Sequence, residues 1–168
     1  MGKGLPTGSE KDLSMGELSS SFRKPLCELD LNELNFIFVI TGKPTSQKNY
    51  KRAGIRNGKS FIYTPANVQK WKNSAIYQLR EQWLYAEAIP SGIEMEVDIY
   101  SYLGKGQSID ADNLAAGPLD AMEKAGIYAN DYWVQSVMTE RLKDKDSPRI
   151  VILLRNYQVN RKEPIVSG

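Results

Sequence analysis

Residues 108–134 (SIDADNLAAGPLDAMEKAGIYANDYWV) constrain this chain more than any other stretch. They hold the aspartates Asp110, Asp112, Asp120 and Asp131. Leu114, Pro118, Ala121, Met122 and Ala125 recur at helical spacing. Gly126 stands where the C′ residue of a helix is expected. The chain then turns apolar at Ile127 and Tyr128 before it returns to acid at Asp131. The reading is loop, helix, tight turn, acid, strand, with a kink expected at Pro118, which lacks a backbone donor. Two carboxylates at spacing i, i+2 suit a loop that clamps one hard divalent cation, because Mg²⁺ prefers oxygen ligands. Asp131 can close such a site if the intervening helix folds the chain back. Asp112, Ala116 and Asp120 stack on one helical face. Asp120 is therefore either a supporting or ligating residue or half of a salt bridge. Asn113 either orients Asp112 or caps the helix.

The chain has 168 residues and no histidine, which removes imidazole acid/base catalysis, Ser-His-Asp triads and most zinc sites. Cys27 is the single cysteine, so there is no internal disulfide, and a free thiol fits a reducing cytoplasm. No apolar run approaches the roughly 20 residues needed to span a bilayer, and the N-terminus lacks the apolar core of a signal peptide. Chemistry is left to carboxylates, lysines, tyrosines or a metal. The net charge is only +2, but its distribution matters. Lys43, Lys48, Lys51, Arg52, Arg56 and Lys59 crowd residues 43–59 with no acid among them. Such a segment is either a phosphate-contacting surface or a solvated loop.

Along the chain, residues 1–32 read as an N-terminal extension, flexible or loosely packed, with Leu13, Met15 and Leu18 able to form a helical turn that docks on the body. Residues 35–41 (NFIFVIT) read as a strand buried on both faces. Asn57-Gly58 signals a hairpin turn whose return arm is residues 60–63. Thr64 as N-cap and Pro65 at N1 start a helix to about Ala88, with Val68, Trp71, Ala75, Leu79 and Trp83 facing the sheet. Residues 93–103 alternate as a half-exposed strand whose outer stripe, Glu94, Glu96 and Asp98, reads as solvated. Gly104-Lys105-Gly106 lacks the spacing of a phosphate loop. Residues 132–142 and 149–155 give two more strands, and residues 158–168 a polar tail. The order is β, basic hairpin, α, β, α, β, β. It predicts a single α/β (α+β) domain over residues 33–157, with a mixed sheet of about four strands and two main helices.

The string Asp110-x-Asp112-Asn113-Leu114, then Leu119-Asp120-Ala121-Met122, Ala125-Gly126-Ile127 and Asn130-Asp131-x-x-Val134, resembles the RusA family of Holliday-junction resolvases. The 19-residue interval from Asp112 to Asp131 matches the family's spacing. Pro44, Ser46, Asn49, Lys51 and Arg52 resemble its Pro-x-Ser-x-Asn segment with following basic residues, in a looser register.

The resemblance implies a RusA-like fold and a homodimeric, structure-selective endodeoxyribonuclease of DNA recombination and repair. Such an enzyme resolves four-way junctions by paired symmetric nicks, with Mg²⁺ as cofactor and Mn²⁺ able to substitute. Asp110, Asp112 and Asp131 would be catalytic and metal-holding residues. Lys43, Ser46, Lys48, Asn49, Lys51, Arg52, Arg56 and Arg141 would contact DNA. One departure stands out: the family's lysine four residues after the second acid is Ala116 here. It leaves open a branched-DNA-binding protein of weak or no nuclease activity. A third reading, a phosphohydrolase acting on a small substrate, fits less well, because residues 104–108 separate the first acid from the preceding strand.

Overall fold

The architecture follows from which faces the strands bury. In the computed structural model, which describes residues 23–45, 52–110 and 113–158, β1 (Asn35–Thr41), β6 (Arg149–Asn156), β4 (Met95–Leu103) and β5 (Val134–Lys143) form one sheet in that order. β2 (Arg52–Arg56) and β3 (Lys59–Tyr63) form a separate hairpin. Helices α1 (Ala66–Gln82) and α2 (Ala116–Ala125) complete a single α+β domain. The expected order of elements is the order found. Residues 1–22, 46–51, 111–112 and 159–168 lie outside the described residues. With them go the expectations for Leu13, Met15 and Leu18, for Ser46, Lys48, Asn49 and Lys51, and for Asp112.

Phe38 and Ile40 of β1, Ile150, Ile152 and Leu154 of β6, and Met95, Val97 and Ile99 of β4 point to one side of the sheet. There they meet Ala75, Leu79 and Trp83 from the first helical segment and Ala121, Met122 and Ala125 from α2. Each large side chain so buried contributes about 2 kcal/mol of transfer free energy. β1 was expected to be buried on both faces. It is instead an edge strand with one face open, and Ile37 is 66% exposed. Its free edge is covered by side chains of α1. The Val39 N–H donates to Gln82 Oε1 at 2.8 Å, and Gln82 Nε2 returns a bond to the Val39 carbonyl at 2.7 Å. Gln78 serves Thr41 in the same way, at 2.8 and 3.3 Å. Two glutamines one helical turn apart thus stand in for a missing strand.

α1 is shorter than the sequence predicts, and its N-cap is Pro65 rather than Thr64. It ends at Gln82 because the next residues pair elsewhere. The Lys24 N–H donates to the Leu84 carbonyl at 2.8 Å, and the Ala86 N–H to the Lys24 carbonyl at 2.9 Å. In α2 the expected kink at Pro118 has no cause, since Pro118 is the third helical residue and its absent N–H would have no partner in the first turn. Gly126 closes α2 in the left-handed conformation (φ 79°), donating to the Glu123 carbonyl at 2.9 Å, while Ile127 N–H reaches Met122 O at 3.1 Å.

β4 and β5 are parallel, and every other pairing in the sheet is antiparallel. This relation governs the site. A parallel pair needs a crossover, so α2 returns the chain from the C-terminal end of β4 to its N-terminal end.

Candidate metal and nucleic-acid site

The acidic loop leaves β4 at Leu103. Gly106, at φ 74°, turns it, and two side chains then fix it. Gln107 Oε1 accepts from the Gly104 N–H at 2.8 Å, and Gln107 Nε2 donates to the Pro44 carbonyl at 2.9 Å. The loop is thereby tied to the residue after Lys43, where the basic segment begins. Ile109 is buried with Leu103 and Leu114 in a small cluster of its own. The Arg141 guanidinium, on β5, donates to the Ile109 carbonyl at 3.2 Å. Asp110 follows, exposed, and its carbonyl accepts from the Asn113 N–H at 3.0 Å. The Asn113 side-chain oxygen is buried with no hydrogen-bond partner among the described residues.

Asp131 is also exposed. Asn130 caps its turn, with the Asn130 Oδ1 accepting from the Tyr132 N–H at 2.8 Å. The short 3-10 turn Asp131–Trp133 then feeds β5. The chain does fold back through a helix, as the sequence predicts. Because β4 and β5 are parallel, that return delivers Asp131 to the entry of β5, beside Met95. The acidic loop is anchored on Arg141, seven residues further along, about 23 Å at a strand's rise. α2, about 15 Å long, lies between. Among the described residues, no three acidic, histidine or cysteine side chains gather where they could hold a metal ion.

Asp120, Glu96 and Asp98 are engaged structurally. Asp120 forms ion pairs with Lys72 of α1 at 2.5 Å and Lys124 at 2.8 Å. Partial burial pushes its carboxyl up, but hydrogen bonds and charge from Lys124 and Lys72 outweigh this and hold it below the ordinary carboxylate value. Of the readings left open for Asp120, the structure therefore takes the salt bridge. Of the stripe expected to be solvated, Glu94 is exposed just ahead of β4, but Glu96 and Asp98 are not solvated. Glu96 is 6% exposed, and Arg155 from β6 pairs with it at 3.1 Å and with Asp98 as well.

On the basic side, Lys43, Arg52 and Arg56 are exposed. Arg141 is exposed yet spends one donor on the acidic loop, a positioning role added to the DNA contact expected of it. Gln107 went unnoticed in the sequence because nothing local distinguishes an amide that will bridge two loops. Gln78 and Gln82 carried a faint signal, a glutamine pair at i, i+4.

Asp110, Asp112 and the unpartnered Asn113 oxygen are donors of the kind a hard cation takes, so the residue types at the loop fit one. No helix among the described residues is long and apolar enough to cross a membrane. Comparison with known proteins gives a consistent picture. The family described as Endodeoxyribonuclease RusA matches residues 41–155. The Crossover junction endodeoxyribonuclease RusA of Aquifex aeolicus (strain VF5) is 30% identical over 128 residues, spanning 76% of this chain and 98% of that protein.

Proposed function

This chain belongs to the RusA family of endodeoxyribonucleases, and from that premise we propose that it resolves four-way DNA junctions by paired symmetric nicks as a metal-dependent homodimer. The observation that carries the reading is the exposed Asp110 loop, bonded on one side to Pro44 of the basic segment and on the other to Arg141. A backbone phosphate attracted to Lys43 and the following cations would lie beside the acids that must act on it.

Asp110 and Asp112, with Asn113 beside them, would hold Mg²⁺, or Mn²⁺ in its place. A cation there would activate water toward the phosphodiester and offset the negative charge that develops. With no histidine in the chain, no imidazole competes for that role. Asp131 enters the sheet at the far end of the β4–β5 pair, so a single copy leaves the carboxylate set divided. A two-fold axis sets one end of an element beside the opposite end of its copy. Asp131 of a second copy would then complete each acidic loop, giving two sites for two symmetric strands.

The helix face that carries Ala116 is not without a cation. Lys72 reaches Asp120 one turn further on, and this favours turnover over a disarmed protein. The test is nicking of a synthetic four-way junction with Mg²⁺ or with EDTA, by the natural protein, Asp112→Asn and Ala116→Lys. Paired metal-dependent nicks, lost in Asp112→Asn, support the reading. Junction binding without nicks, with activity gained in Ala116→Lys, replaces it with a binding protein. Neither binding nor nicking in any variant overturns it.

A further inference from the structure

The β2–β3 hairpin has two unlike faces. Cross-strand partners share a face, so Arg52 with Tyr63, Gly54 with Phe61, and Arg56 with Lys59 make one side. Ala53 with Ile62 and Ile55 with Ser60 make the other. The first face therefore collects all three cations of the hairpin and both of its aromatic rings. Phe61 and Tyr63 are each 43% exposed, with ring centroids 5.6 Å apart. Phe61 lies across Gly54: a Cβ at position 54 would sit 2.8 Å from Phe61 Cζ. Glycine in the middle of a strand weakens it unless something must approach closely; here the ring does. Beyond the ring, Arg56, Asn57, Lys59 and Phe61 line a cleft of about 410 Å³.

Nothing in the core of the described residues accounts for this face. No hairpin residue joins the described core, and a two-stranded ribbon alone is marginal in water. The hairpin's tip is a tight turn with Asn57 and Gly58 both at positive φ, which holds the register of the two arms. No aspartate or glutamate occurs between Lys43 and Arg80, so every charge that the hairpin itself brings to the face is positive. Two copies meeting through this face would bring like charges together. A polyanion with flat apolar faces, DNA whose bases are unstacked, matches both of its components.

We propose that this face is a stacking platform for unstacked bases at the branch point, with Phe61 and Tyr63 taking the bases and Arg52, Arg56 and Lys59 the flanking phosphates. The inference rests on the junction-resolving reading above and adds to it the part of the junction that the hairpin engages. Pro44, eight residues before Arg52, is bonded to Gln107, so the segment that leads into the platform is tied to the acidic loop.

The experiment uses the full chain in EDTA and four-way junctions carrying 2-aminopurine either at the branch point or within an arm. The natural protein should raise the branch-point fluorescence and leave the arm signal unchanged. Phe61→Leu and Tyr63→Leu, which keep an apolar strand residue, should abolish that rise. Each should weaken junction binding about tenfold, with the salt dependence of affinity unchanged. Phe61→Trp should retain the rise. The triple variant Arg52→Gln, Arg56→Gln, Lys59→Gln should instead lower the salt slope by about three. An unchanged branch-point signal in both leucine variants overturns the platform and leaves the resolvase reading standing. A change in oligomeric mass in those variants also overturns it, assigning the face to a second copy. A natural protein with no preference for the junction over duplex overturns the underlying reading and the platform with it.

Discussion

The guanidinium of Arg141 donates to the backbone carbonyl of Ile109 at 3.2 Å, so a side chain of β5 holds the loop that presents Asp110. A contact with DNA was expected of Arg141; the structure gives it a hold on the backbone beside Asp110. A hydrogen bond from a charged donor is worth about 2 kcal/mol. Arg141→Met should therefore lower the single-turnover nicking rate at least about tenfold while junction affinity falls much less. A variant that loses affinity and keeps its rate would make Arg141 a DNA contact only.

Asp120 should confer a pH-dependent stability. Its carboxyl is held below its ordinary value of 3.8 by Lys124 and Lys72 against the opposing effect of burial. A carboxylate whose folded pKa is depressed stabilises the fold above its unfolded pKa, and that contribution is lost as the pH falls through the folded value. Asp120→Asn should therefore lower the melting temperature at pH 6, by an amount matching about 1 kcal/mol for a partly exposed pair. The difference from the natural protein should shrink below pH 3.8, and thermal melts from pH 2.5 to 6 read it directly. A difference that stays constant across that range would mean the ion pairs are not its source.

Gln82 makes two bonds to Val39 that a neighbouring strand would otherwise make. Gln82→Ala should cost about 1–2 kcal/mol in urea denaturation, with the slope of the transition unchanged. It should also raise concentration-dependent light scattering, because an uncovered edge strand recruits other chains. Gln82→Glu should behave similarly, since a carboxylate cannot donate to the Val39 carbonyl.

The fold was legible where local periodicity is strong. The alternation on β4, the Asn57-Gly58 turn, the apolar spacing through Met122 and the glycine after Ala125 each point to the element that forms. It was illegible where a distant partner decides. The first helix stops at Gln82 because Lys24 captures the backbone of Leu84 and Ala86, and no local residue announces that. Glu96 and Asp98 read as a solvated stripe because their cation, Arg155, lies 59 and 57 residues away, respectively. The acidic loop and Asp131 stand out in the sequence by their spacing, but the parallel pairing that separates Asp131 from the Asp110 loop is a property of the sheet alone.

That separation gives the central claim its sharpest test. If each site takes its loop from one copy and Asp131 from the other, Asp112→Asn and Asp131→Asn are each inactive as homodimers. A mixed dimer of the two still keeps one intact site, built from the natural loop of one chain and the natural Asp131 of the other. Nicking of a four-way junction with Mg²⁺ should therefore reappear when the two variants are unfolded and refolded together. Random pairing makes about half the dimers mixed with one site in two intact, so about a quarter of the natural activity is expected. No activity in the refolded mixture, with the natural protein active after the same treatment, would contradict the account and place all three acids in one chain's site.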